Sequence, residues 1–246
     1  MDIRDQYVID QFLKKVLRLY KPDLSELLGG VFISGAQDSG KTNLAILLAD
    51  YLMKNNIIVY VIDPSQVWEE KSSIPNCVNV EESSYLILKK ESTIYDVSLL
   101  DPDKHELFVQ KFCSMIYNKR AKRTPTHSKI HRPETFIIFE EAQLYLPKGQ
   151  LQKRVAQELL RVISVGRNFN IRSAIITQFP SMVDRHAIKY CRSRFFGLCD
   201  DADDVEYLKP YVKDKVDRLY DLGKGCFICF HKGSCQEIKA ELFKKP

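Results

Sequence analysis

Apolar positions along the chain follow two patterns. Between residues 4 and 20, Val8, Ile9, Phe12, Leu13, Val16, Leu17 and Tyr20 recur at three- and four-residue spacing, which predicts an amphipathic helix ending before Pro22. From residue 31 onward short unbroken apolar runs take over: Val31-Phe32-Ile33, residues 57–62, Phe136-Ile137-Ile138-Phe139 and residues 173–177. Runs of this length predict strands covered on both faces. Segments of helical period separate them, at 41–54, 103–117 and 152–165. Further strands are expected at 93–100 and 194–199, then short helices over 203–220. A hairpin is expected from 226–230 and 237–243 around Lys232-Gly233. Strands alternating with helices imply right-handed crossovers, so the predicted fold class is α/β, a mainly parallel sheet flanked by helices. The expected organisation is a helical extension over residues 1–30 and one domain over 31–246.

Composition narrows this picture only modestly. Of 246 residues, 45% are hydrophobic and 28% charged, a mix suited to a soluble globular domain with a substantial core. No apolar run approaches the roughly 18 residues that cross a bilayer. The first twenty residues mix charged and apolar side chains, unlike a signal peptide, so the expected location is the cytoplasm. Without a secretory signal the seven cysteines read as thiols and not as a disulfide framework. The net charge of +5 permits a polyanionic partner without requiring one.

One octapeptide changes the reading. Gly35, Ala36, Gln37, Asp38, Ser39, Gly40, Lys41 and Thr42 match G-x-x-x-x-G-K-[ST] at every fixed position, after an apolar strand and at the start of a helix. Backbone N–H groups in such a loop, with the helix N-terminus behind them, cradle phosphates. Lys41 is placed to reach the β and γ phosphates of ATP, and the Thr42 hydroxyl to ligate Mg²⁺. Hydrolysis also needs a carboxylate near the metal. The run 136–139 ends in Glu140-Glu141, and the C-terminal end of a parallel strand is the ligand side of a sheet. Glu140 is the candidate Mg²⁺ holder and Glu141 the candidate that polarises the attacking water.

The order GAQDSGKTN, VIDPSQVW, FIIFEEAQLYLP and SVGRNFNIRSAIITQFPS resembles the FtsK/HerA superfamily of DNA-translocating P-loop ATPases, and within it the genome-packaging ATPases of viruses, including those of archaea. The similarity covers roughly residues 31–197. It implies a RecA/ASCE-like P-loop core, ATP and Mg²⁺ as cofactors, and non-specific double-stranded DNA as partner. It also implies self-association into a hexameric or pentameric ring and docking on a capsid or portal vertex. The expected location is then the host cytoplasm or the virion. The resemblance makes Gln178 the residue that senses the γ-phosphate. It makes Arg167, or as second candidate Arg161, the arginine supplied to a neighbouring subunit. Phe179 departs from the family, where arginine is common, and so does the short stretch before the core. Alternative readings are a conjugation or chromosome-partition pump of the same superfamily, a Zot-like virion assembly factor, which should carry a transmembrane segment, and a non-catalytic nucleotide-binding module.

Lys119, Arg120, Lys122, Arg123, Lys129 and Arg132 crowd one polar segment and are candidate DNA-phosphate contacts. Cys226, Cys229, His231 and Cys235 suggest zinc, but the spacing is compressed and the first two would face opposite sides of a strand. Trp68, the single tryptophan, lies just past Asp63-Pro64 and is expected simply to cap the core, with packing near the nucleotide as the alternative.

Overall fold

The computed structural model describes residues 29–81, 86–121, 135–231 and 233–245. The expected helix over 4–20 therefore lies outside the described residues, as do Lys122, Arg123, Lys129 and Arg132. Nine strands form one sheet in the order β3-β4-β2-β5-β6-β1-β7-β8-β9. They are β1 Val31–Ser34, β2 Ile58–Asp63, β3 Asn76–Asn79, β4 Thr93–Asp96, β5 Thr135–Phe139, β6 Ile171–Thr177, β7 Ser193–Phe196, β8 Cys226–His231 and β9 Ser234–Lys239. The first seven run parallel, and the β8–β9 hairpin adds two antiparallel strands at the β7 edge. The helices are α1 Lys41–Lys54, α2 Val67–Lys71, α3 Pro102–Ala121, α4 Arg154–Val165, α5 Arg185–Tyr190 and α6 Ala202–Val212.

The central strands are apolar on both sides because both sides are covered. Along β1, Val31 and Ile33 face α1 while Phe32 faces the opposite layer. The α1 side gathers Leu44, Leu48, Leu52 and Trp68, with Phe136 and Ile138 from β5. The other side gathers Phe108 and Phe112 of α3, Leu159 of α4, Ile188 of α5 and Leu208 of α6, with Ile137 and Phe139. All these side chains are fully or almost fully buried, the condition under which period-2 alternation disappears from a strand.

The sequence expectations hold for the large elements and shift at the edges. The strand expected over 93–100 stops at Asp96, whose side chain accepts from Ser98 N at 2.9 Å and turns the chain. The strand expected over 194–199 ends at Phe196. The second hairpin strand begins at Ser234, directly after the turn at Gly233 (φ 84°), and not at 237. Edge strand β3 and helices α2 and α5 are too short and too polar to stand out in the sequence. Residues 213–220 form a 3₁₀ helix and not a continuation of α6.

Candidate active site

β1 delivers the chain into the phosphate loop. Gly35 (φ 151°) and Gly40 (φ 99°) hold conformations that side chains resist. Neighbours also crowd them: a Cβ on Gly35 would lie 2.8 Å from Ser39 Oγ, and one on Gly40 3.0 Å from Gly225 Cα. The loop is pinned from outside by Ala36 N donating to Leu198 O at 2.6 Å, and by Gly225 N donating to Ser39 O at 2.8 Å. Helix α1 then starts at Lys41 with no side-chain cap, so its first amides are available to an anion. Lys41 Nζ donates to Ala36 O at 2.8 Å. Burial lowers the Lys41 pKa, against the pull of Glu141 and Glu140.

The carboxylates come from the end of β5. Glu140 is 4% exposed and accepts from Trp68 Nε1 at 3.0 Å. Burial pushes its pKa up to about 8; the Trp68 hydrogen bond opposes this, and Glu141 and Asp63 add to it. Glu141 takes a left-handed backbone (φ 49°), a conformation costing on the order of 1–3 kcal/mol and concentrated at functional sites. Its oxygens accept from Gln178 Nε2 at 2.5 Å and from Gln143 Nε2 at 2.6 Å. Gln143 in turn accepts from Thr177 Oγ1 at 2.7 Å. These bonds cross from β5 to β6, and β6 lies between β5 and β1. The acidic strand is thus one strand removed from the phosphate-loop strand, with Gln178 at the tip of the strand between them. One cavity of about 550 Å³ is lined by Gly40, Lys41, Thr42, Glu140, Glu141 and Gln178, with Gln37 and Asp38 at its rim.

The donors suit a hard cation. Thr42, Glu140 and Glu141 offer oxygen ligands on the same cavity, the set Mg²⁺ prefers. A carboxylate as buried as Glu140 is costly to ionise alone, and a divalent cation beside it supplies the missing charge.

The arginines stand elsewhere. Arg167 lies in a 3₁₀ turn ahead of β6, at the opposite end of that strand from Gln178. It lines a separate cavity of about 220 Å³ with Arg172 and Arg192. The length of β6 separates it from the phosphate loop of its own chain. Arg161 is engaged within its own chain: its guanidinium stacks 3.7 Å above the Tyr117 ring and pairs with Glu158. Phe179 is exposed beside Gln178. Lys119 is exposed on the last turn of α3, whereas Arg120 donates to Thr135 Oγ1 at the start of β5. Ala121 and Thr135, the described residues on either side of 122–134, therefore stand at the sheet end away from the cavity. Cys229 is buried, Cys226 and Cys235 are partly so, and no cluster of three or more His, Cys, Asp or Glu side chains suited to a metal forms among the described residues.

Several contributors escaped the sequence reading. Trp68 is wholly buried, as expected of a core cap, but it also holds Glu140. Asp63 anchors that helix by accepting from Trp68 N and Ser65. Asn43, Lys224, Leu242 and Phe243 complete the cavity wall. The adjacency of Asn43 to the motif is the only signal any of these four carried.

No family model and no curated protein matches the sequence. Solved structures do match. The genome packaging NTPase B204 from Sulfolobus turreted icosahedral virus 2, in complex with ATPγS, superposes with a TM-score of 0.64 and 17% identity, over 87% of this chain and 98% of that one. The conjugation coupling protein TcpA of pCW3, with ATPγS, gives 0.57 and 14%, over 92% of this chain and 63% of that one. EssC (ATPases 2 and 3) from Geobacillus thermodenitrificans gives 0.57 and 13%, over 87% and 39%. At these identities the likeness is one of fold: a P-loop ATPase architecture. No described helix is long and apolar enough to cross a membrane.

Proposed function

We propose that this protein is an ATP-hydrolysing motor that moves double-stranded DNA, and that it packages a viral genome. The observation that carries the reading is the placement of Glu141. A strained backbone and two amide donors hold its carboxylate on the wall of the cavity that also contains Lys41 and Thr42. The loop amides and Lys41 hold the phosphates, and Glu141 accepts a proton from the attacking water. Gln178, already bonded to Glu141, orients that water and registers the terminal phosphate. Mg²⁺ held by Thr42 and Glu140 would neutralise charge on the phosphate oxygens. The fold likeness to a packaging NTPase crystallised with ATPγS, with 98% of that chain matched, supports the choice of packaging.

In this reading the protein acts in the host cytoplasm as a homo-oligomeric ring in which Arg167 of one copy completes the site of the next. A capsid or portal vertex is the docking partner in this reading. Lys119 and the basic segment after it contact DNA phosphates. The likeness to TcpA supports a second reading, a conjugation pump; a neighbouring relaxase gene in place of capsid genes would favour it. The test of the motor is the ATPase rate with and without duplex DNA across a salt series. DNA should raise the rate, and the stimulation should fade as salt rises, because phosphate contacts release counterions. An identical rate with and without DNA, from a protein that stays monomeric with nucleotide, rules the motor out.

A further inference from the structure

Beyond the phosphate end, the cavity has a second wall of different chemistry. Ile46 of α1, Val67 of α2, Leu242 and Phe243 line it. The last two belong to residues 241–245, which leave β9, cross the start of α1 and reach α2. Asn43 fixes this crossing from both sides of Leu242: its Nδ2 donates to Glu241 O at 2.8 Å, and its Oδ1 accepts from Phe243 N at 2.8 Å. Phe243 packs into the core on the α1 face. Lys245 Nζ donates to Glu69 O at 3.1 Å and Glu70 O at 3.2 Å, carbonyls of α2. Between the two clamped residues, Leu242 is 77% exposed.

We infer that residues 241–245 form the nucleoside wall of the site, with Leu242 packing on the base of the bound nucleotide. The inference rests on the nucleotide-hydrolase reading above and adds how the base is gripped. A cavity of about 550 Å³ falls within the usual range for a small-molecule site, roughly 300–1,000 Å³. Its polar end is committed to phosphates, so the apolar end receives the rest of the ligand. An aliphatic side chain held rigidly at a cavity wall, with most of its surface uncovered, gains by covering an aromatic ring. The Asn43 amide at this wall spends one N–H and its oxygen on the clamp. Ile46, Val67, Leu242 and Phe243 give the base an apolar surface to pack on. Such a wall separates nucleotides poorly, since an apolar pocket does not strongly reject an isosteric ring, and ATP and GTP should be held alike.

The experiment compares dissociation constants of Mg·ATP, Mg·GTP and Mg·tripolyphosphate by calorimetry for the full chain, L242A and L242A/F243A. Because Leu242 is mostly exposed, L242A should fold normally. ATP and GTP should each weaken about five- to tenfold in L242A and further in the double variant. Tripolyphosphate, which has no base, should bind all three proteins equally. Unchanged ATP affinity in both variants overturns the inference while leaving the nucleotide site intact. So does equal weakening of ATP and tripolyphosphate, which would mean that the crossing merely props up the phosphate loop. A wild-type protein that binds none of the three ligands overturns the hydrolase reading itself.

Discussion

The two ends of strands β1, β5 and β6 differ in almost every physical respect. At their C-terminal ends, backbone strain and acid accumulate: Gly35, Asp38, Gly40 and Glu141 take positive φ, and Glu140 and Glu141 share one cavity with Lys41. At the N-terminal ends the smaller cavity is lined by Arg167, Arg172 and Arg192, and Arg120 is bonded to Thr135. The positive φ values at that end fall on Gly30, a glycine, and on Asn170, an asparagine closing a 3₁₀ turn, both ordinary choices. Strands β1, β5 and β6, all pointing one way, thus present one pole where Glu140 and Glu141 gather beside Lys41, the acidic pole, and an arginine-lined one, the basic pole. In the ring proposed above, Arg167 of one copy would reach the acidic pole of the next.

The comparison can be broken most sharply at the acidic pole. E141Q should bind Mg·ATP as the parent does and lose about 10⁴-fold in turnover; retention of turnover would remove Glu141 from the chemistry. At the basic pole, R167A should lose about 10³-fold. Mixing R167A with E141Q should restore activity, because each supplies what its neighbour lacks. R161A, whose guanidinium is occupied by Tyr117 and Glu158, should stay close to the parent rate, and no recovery on mixing would place Arg167 outside the site. The smallest effect concerns Glu140. Its folded pKa of about 8 lies above the ordinary 4.5, so the folded state holds a proton that the unfolded state has released between those values. Nucleotide-free protein should therefore lose stability as pH rises through that window, by at most about 1.4 kcal/mol per unit. Denaturant melts of E140Q should lack this slope, and an unchanged slope would assign the effect to another group.

Much of the fold was legible because its signals are local. Unbroken apolar runs mark β1, β2, β5 and β6, and the octapeptide at 35–42 encodes its own loop, since two glycines and a helix start suffice to shape it. Glu140-Glu141 was legible as a strand end. What stayed hidden depends on distance along the chain. Trp68 meets Glu140 across 72 positions, and Asn43 meets Glu241 and Phe243 across 198 and 200. No periodicity encodes such pairings. The apolar character of Leu242 and Phe243 reads as hairpin core until the crossing over α1 is seen. The role of Trp68 was half legible: burial follows from its size, but the bond from its indole N–H needs the partner's position.

The insertion of β6 between β1 and β5 has a mechanical side. The chain just past Gln178 is moored to α6, through Ser181 N on Asp204 Oδ1 at 2.8 Å and Tyr207 Oη on Val183 O at 2.5 Å. These bonds tie the residues that follow Gln178 to a helix on the other layer of the sheet. In the motor proposed above, β6 and this mooring would carry the loss of the terminal phosphate from Gln178 to α6.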